Sequence, residues 1–170
     1  MEQTFVFSDS APYPPVQVCG ANPMYARAML ANIGSCNSEM SAVSLYFYNS
    51  IITKPIQQDV AECFHKISIV EMHHLEIFGQ LAKLLGADPR LWYRAGRRAV
   101  YWSPACNKYP QELPLLLKNS IQGETQAIEQ YRRQLNWIED ENITAVLSRI
   151  ILDEEHHIAI FRTLYQEFCM

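Results

Sequence analysis

The sequence has no Cys-x-x-Cys pair; its five cysteines, Cys19, Cys36, Cys63, Cys106 and Cys169, stand far apart. That spacing excludes a paired-thiolate metal knuckle, argues against a disulfide framework, and predicts free thiols in a reducing cytosol. A basic surplus is also missing. A net charge of -4 and a pI near 5.7 provide no field for nucleic acid. No apolar run reaches membrane-spanning length, and no basic N-terminal stretch precedes an apolar one. We therefore expect a soluble, untargeted, cytoplasmic protein with no membrane partner. What the chain does have is 49% apolar residues over 170 positions, enough for one compact domain with a real core.

Proline gathers in Ala11-Pro12-Tyr13-Pro14-Pro15, which cannot sit inside a helix and reads as part of an extended arm over residues 1–22. Asn22-Pro23 then supplies an N-cap and a first helical residue. Helical spacing of Ile33, Met40, Val43 and Phe47 carries one helix from 23 to about 52, weakened but not ended by Gly34. Lys54-Pro55 marks a turn, and a second helix runs to about Leu85, where Gly86 and Pro89 stop it. Periodicity fades between 87 and about 112, where Trp92, Tyr93, Tyr101 and Trp102 crowd a segment too long for a tight hairpin. A third helix spans about 114–138, and the polar link Glu139-Asp140-Glu141-Asn142 leads into a fourth that ends near Phe168. The expected fold is all-α: a four-helix bundle over 23–170, built as two antiparallel helical hairpins joined by a long crossover. Tyr13, Trp92 and Trp102 lie outside the helices, and we expect them to bury against a second subunit in a homodimer; packing on the chain's own bundle is the alternative.

Two copies of one motif stand in the second and fourth helices. Glu71-Met72-His73-His74 and Glu154-Glu155-His156-His157 both read E-x-x-H, and residues three apart on a helix share a face, so each copy is a two-toothed metal clip. His73 and His156 point about 100° away, toward the rim. The neighbours at four and seven residues make the motif informative. Phe64, Ile67, Leu75 and Phe78 flank Glu71, and Leu147, Ile150, Ile158 and Phe161 flank Glu154. Both carboxylates interrupt a core-facing apolar stripe, where an uncompensated charge is costly enough to demand a proton or a metal.

The other two helices repeat a simpler pattern, Glu39-x-x-Ala42 with Tyr46 beyond and Glu124-x-x-Ala127 with Tyr131 beyond. Small alanines take the place of histidine and leave room for the imidazoles opposite. The four helices thus offer Glu39, Glu71, His74, Glu124, Glu154 and His157, the set expected of a dinuclear carboxylate centre. Four carboxylates with two neutral imidazoles carry four negative charges, which two divalent ions balance and one does not. Hard oxygen and imidazole donors favour two iron ions or, alternatively, two manganese ions. For Tyr46 and Tyr131 two readings are open, a core residue with a satisfied hydroxyl or a hydrogen bond to a ligand carboxylate.

These motifs resemble the ferritin-like diiron-carboxylate superfamily, in its rubrerythrin and manganese-catalase branch. The run Tyr13-Pro-Pro-Val-Gln-Val-Cys-Gly-Ala-Asn-Pro23 is similar to the start of small spore-coat manganese-catalase-like relatives. The resemblance implies that Glu39, Glu71 and His74 hold one metal and Glu124, Glu154 and His157 the other, with Glu71 and Glu154 bridging as the catalytic ligands. It also implies that Asp153 orients a ligating imidazole; its counterpart in the second helix is Val70. Rubrerythrins proper carry a paired-cysteine rubredoxin-like domain, and without such a pair here electrons are expected from an external donor; they also carry a further glutamate where this chain has Ala127. Cage-forming ferritins continue into a fifth helix, whereas here the sequence runs only to Met170. The implied function is a redox enzyme acting on hydrogen peroxide or dioxygen, peroxidase- or catalase-like. Iron binding and storage, or a coat protein that retains a metal site, are the alternatives.

Overall fold

A computed structural model describes residues 5–170; positions 1–4 of the expected arm lie outside the described residues. Among the described residues the elements follow as helix α1 (Pro23–Gly34), α2 (Glu39–Thr53), α3 (Gln58–Leu84), strands β1 (Trp92–Ala95) and β2 (Arg98–Tyr101), a short 3-10 turn (Pro104–Cys106), α4 (Leu113–Leu135) and α5 (Glu141–Cys169). No helix among them is long and apolar enough to cross a membrane. The fold is the ferritin-like four-helix bundle, with α1 and α2 together forming its first arm against α3, and α4 packed on α5.

Local chemistry explains the boundaries. Asn22 caps α1 by accepting from the backbone of Met24 and Tyr25, with Pro23 in the first turn. Asp140 does the same for α5 through Asn142 and Ile143. Gly86, at φ 97°, closes α3 in a left-handed conformation that side chains resist.

The expected single first helix is instead two. Gly34 ends α1 rather than merely weakening it, because the Leu91–Trp92 backbone lies against it: a Cβ there would meet Trp92 N at 2.4 Å. Residues 35–38 then leave the helix, and Ser38 recaps the chain through Ser41 N. The crossover also gains structure, since β1 and β2 pair as an antiparallel hairpin turning at Gly96, φ 62°.

One further expectation needs correction. Cys36 and Cys106 are not free but form a disulfide, 70 residues apart in sequence, made possible by the break that swings residues 35–38 toward the 3-10 turn. Pairing over such a separation cannot be read from spacing. The arm and the crossover also make contacts within the chain itself. Tyr13 packs edge-on to His73 and His74, and Trp102 donates to Ser41 Oγ at 2.9 Å, both within the chain's own bundle.

The core divides in two. Met29, Phe78, Leu81, Leu147 and Ile150 belong to one apolar cluster, and Phe64, Ile67, Leu116, Phe161 and Leu164 to another. On α3 and α5 alike, the E-x-x-H residues fall between the two clusters. Dry packing on both sides therefore encloses a polar mid-section.

Candidate metal centre

Into that mid-section α2 brings Glu39, α3 brings Glu71 and His74, α4 brings Glu124, and α5 brings Glu154 and His157. None is more than 2 % exposed. They form two overlapping groups with metal-binding potential: Glu39, Glu71, His74 and Glu154, and Glu71, Glu124, Glu154 and His157. Ligand atoms within each group lie within 4.8 Å of one another. Glu71 and Glu154 belong to both groups because their helices run antiparallel and present the same clip from opposite directions.

Each imidazole is held from behind. His157 Nε2 lies 3.0 Å from the carbonyl oxygen of Phe7, which can only accept, so Nε2 carries the hydrogen. His74 Nε2 lies 3.0 Å from Asp153 Oδ2, whose acidity is increased well beyond the usual carboxylate range: burial opposes ionisation, but hydrogen bonds from His74, Tyr13 and Arg149 outweigh it. With both Nε2 atoms donating, the neutral rings turn their Nδ1 lone pairs inward. His74 Nδ1 faces Glu71 Oε2 and Glu154 Oε1, each at 3.3 Å, and Glu39 Oε2 at 3.8 Å. His157 Nδ1 faces Glu71 Oε1 at 2.8 Å, Glu154 Oε2 at 3.0 Å and Glu124 Oε1 at 3.7 Å. Lone pairs aimed at carboxylate oxygens repel unless positive charge lies between them.

That charge can be protons or metal ions. Without metal, burial would lower both imidazoles, yet the charge of Glu154 beside His74 and of Glu71 beside His157 raises their proton affinity well above normal. Burial, reinforced by Glu71, likewise raises Glu39 and Glu124 well above the usual carboxylate range. Glu71 goes the other way, since His157 and His74 outweigh its burial. Protons do not complete the site, however. Glu71 Oε1 and Glu154 Oε1 are buried with no hydrogen-bond partner among the described residues; their approaches to imidazole nitrogen are close in distance but not aligned. Orphaned oxygens on the two shared carboxylates are consistent with a pair of cations between them.

The tyrosines cross over. Tyr46 on α2 donates to Glu124 Oε1 on α4, and Tyr131 on α4 donates to Glu39 Oε1 on α2. Burial, then the carboxylate each one touches, raises both phenols well above their ordinary range, so they remain donors. A cavity of about 200 Å³ reaches the carboxylates of Glu39, Glu71, Glu124 and Glu154 past Ala42 and Ala127, and its outer wall includes exposed Cys36 and Lys108.

Sequence reasoning missed the arm's part in this site. Arg149, 5 % exposed, binds Asp153 Oδ1 at 2.7 Å, the carbonyls of Ala11 and Asp9 at 2.6 and 2.8 Å, and lies 4.1 Å over the Tyr13 ring. Tyr13 in turn donates to Asp153 Oδ2. The signal available was Arg149 itself, a cation four residues before Asp153 among core-facing Leu147 and Ile150. Phe7 left no signal, because it acts through a backbone carbonyl.

Solved structures share this architecture. A manganese catalase, KatB from Anabaena, superposes with a TM-score of 0.82 at 21% identity, covering 96% of this chain and 80% of its own. A Rhodobacter capsulatus bacterioferritin, described with a metal-free dinuclear site, gives 0.73 at 20% identity over 87% of this chain and 89% of its own. The Mycobacterium tuberculosis bacterioferritin BfrA gives 0.71 at 20% identity, covering 87% of each chain. No curated protein matches the sequence. At these identities the structures establish the fold alone, but the rubrerythrin family model matches residues 34–165, the stretch that carries every carboxylate and imidazole described above. With most of its length and its entire candidate centre inside that match, this chain belongs to the rubrerythrin family.

Proposed function

We propose that Glu39, Glu71 and His74 hold one metal ion and Glu124, Glu154 and His157 a second, with Glu71 and Glu154 shared, and that the centre consumes hydrogen peroxide. The observation carrying this reading is the pair of inward Nδ1 lone pairs facing four buried carboxylates, two of which keep an orphaned oxygen. Oxygen and imidazole donors favour iron or manganese. Either metal would supply one-electron valence changes at two neighbouring positions, together matching the two electrons of an O–O bond.

The chain's own residues prepare that chemistry. Asp153 and the Phe7 carbonyl keep both Nε2 hydrogens turned outward, which fixes Nδ1 as the ligating atom. Tyr46 and Tyr131 orient Glu124 and Glu39, freeing the second oxygen of each carboxylate. The two apolar clusters keep bulk water from the flanks, while the cavity past Ala42 and Ala127 admits molecules the size of peroxide or dioxygen. Likeness in fold to a manganese catalase supports this reading by analogy. A cytoplasmic homodimer completes it; Tyr13, Trp92 and Trp102 are only half-buried within the chain, and the exposed Phe47 and Ile51 of α2 add apolar surface for the contact.

Peroxide loss and oxygen release, followed with iron or manganese loaded and with or without an added donor, test the proposal. Donor-dependent loss with iron identifies a peroxidase, and oxygen release without donor under manganese identifies a catalase. Iron retained far beyond the capacity of six ligands, with little peroxide turnover, would instead establish storage.

A further inference from the structure

The disulfide between Cys36 and Cys106 sits where the proposed substrate would pass. Both residues line the cavity whose inner wall is formed by Glu39, Glu71, Glu124 and Glu154, and Cys36 stands three residues before Glu39. Cys36 is exposed and Cys106 half-buried, and both line the cavity. Exposed bridges of this kind exchange with external thiols more readily than enclosed ones. Lys108, two residues after Cys106, lines the same mouth, and positive charge close to a reduced cysteine favours its thiolate. The remaining cysteines are poorly suited to reaction. Asp140 and burial raise the Cys19 thiol, and burial pushes Cys63 up to about 11.

We propose that Cys36 and Cys106 form a second, thiol-based peroxide-reducing site at the mouth of the cavity, recharged by an external dithiol. In the reduced pair, the thiolate of one cysteine attacks a peroxide oxygen. The O–O bond breaks, the departing hydroxide takes up a proton and leaves as water, and the sulfur becomes a sulfenic acid. The second thiol displaces that hydroxyl as a second water and forms the S–S bond. Two thiols and one hydrogen peroxide thus give one disulfide and two waters, with two electrons moving from sulfur to oxygen. An external dithiol then attacks at exposed Cys36 and resolves the mixed disulfide, leaving both cysteines reduced and itself oxidised. The inference rests on the reading that peroxide enters this cavity.

The test uses the full-length, metal-loaded protein, reduced with dithiothreitol, desalted without oxygen and given a small excess of hydrogen peroxide. Timed quenching with N-ethylmaleimide and mass spectrometry follows each cysteine while peroxide is assayed in parallel. Cys36 and Cys106 are expected to lose labelling together, about tenfold faster than Cys19 in the same molecules. The Cys106→Ser variant is expected to keep its metal content but lose dithiol-driven peroxide reduction by about tenfold. If that variant does not fold, the labelling rates in the unmodified chain decide alone. Peroxide consumption with Cys36 and Cys106 oxidised no faster than Cys19, or a folded Cys106→Ser protein as active with dithiol as the parent, overturns the pair and leaves the proposed metal function standing. No peroxide consumption and no thiol oxidation would contradict both.

Discussion

Asp153 accepts from four donors at once: Asp9 N, Tyr13 Oη, Arg149 Nη1 and His74 Nε2. One carboxylate therefore ties the arm, α5 and the α3 imidazole together. Asp153→Asn keeps the shape but weakens the acceptor facing His74, and it leaves His157 with its Phe7 carbonyl. Metal affinity should fall by about 10- to 100-fold at one position more than at the other, read as two separated steps in a chelator competition titration. A single step at the parent affinity would show that Asp153 does not orient His74.

The shifted proton affinities also fix a pH dependence for metal-free protein. Glu39, Glu124, His74 and His157 all bind protons more tightly folded than unfolded. Stability from such groups is fully present below their unfolded values and is lost as pH rises through the folded ones. Metal-free protein should therefore unfold more easily as pH climbs from the ordinary carboxylate range through the ordinary histidine range and beyond. Glu71 and Asp153 have the opposite shift and add a separate loss on the acid side, below the carboxylate range. Urea unfolding at a series of pH values, with and without metal, checks the sign: metal loading should flatten the alkaline decline, because the cations replace the protons.

At the scale of elements, the break between α1 and α2 positions Glu39 at the first turn of a helix instead of inside one. Gly34 makes the break possible by letting the Leu91–Trp92 backbone approach. Gly34→Ala forces a Cβ against main chain that cannot rotate away, so stability should fall by about 1–3 kcal/mol, measured by chemical denaturation. Unchanged stability would mean that the β1 contact relaxes at no cost. The helices themselves were legible because their apolar period repeats over many turns, and the clips were legible because E-x-x-H occurs on two such stripes. The α1–α2 break was not, since Ile33, Met40, Val43 and Phe47 keep a helical period across it while the deciding contact is with backbone some 57 residues away, the separation of Gly34 and Leu91. Backbone partners such as the Phe7 carbonyl carry no sequence identity at all, and the Cys36–Cys106 pairing follows from that same unread break.

For the molecule as a whole, two apolar clusters flank a mid-section of buried carboxylates and imidazoles whose charge is costly to bury uncompensated. Chelation should lower stability by RT ln(1 + [metal]/Kd), about 4 kcal/mol at a metal concentration 1,000 times Kd. Thermal unfolding before and after chelation measures it; equal transitions would show that the bundle gains nothing from metal.

The most direct test of the account is metal content per chain by elemental analysis after native expression, for the parent protein and for Glu71→Ala and Glu154→Ala. Four buried carboxylates with two inward imidazoles predict about two iron or manganese ions per parent chain and a marked loss in both variants, since each removes the carboxylate shared by the two ligand groups. A parent chain without transition metal, or variants that retain the parent's full content, would contradict it.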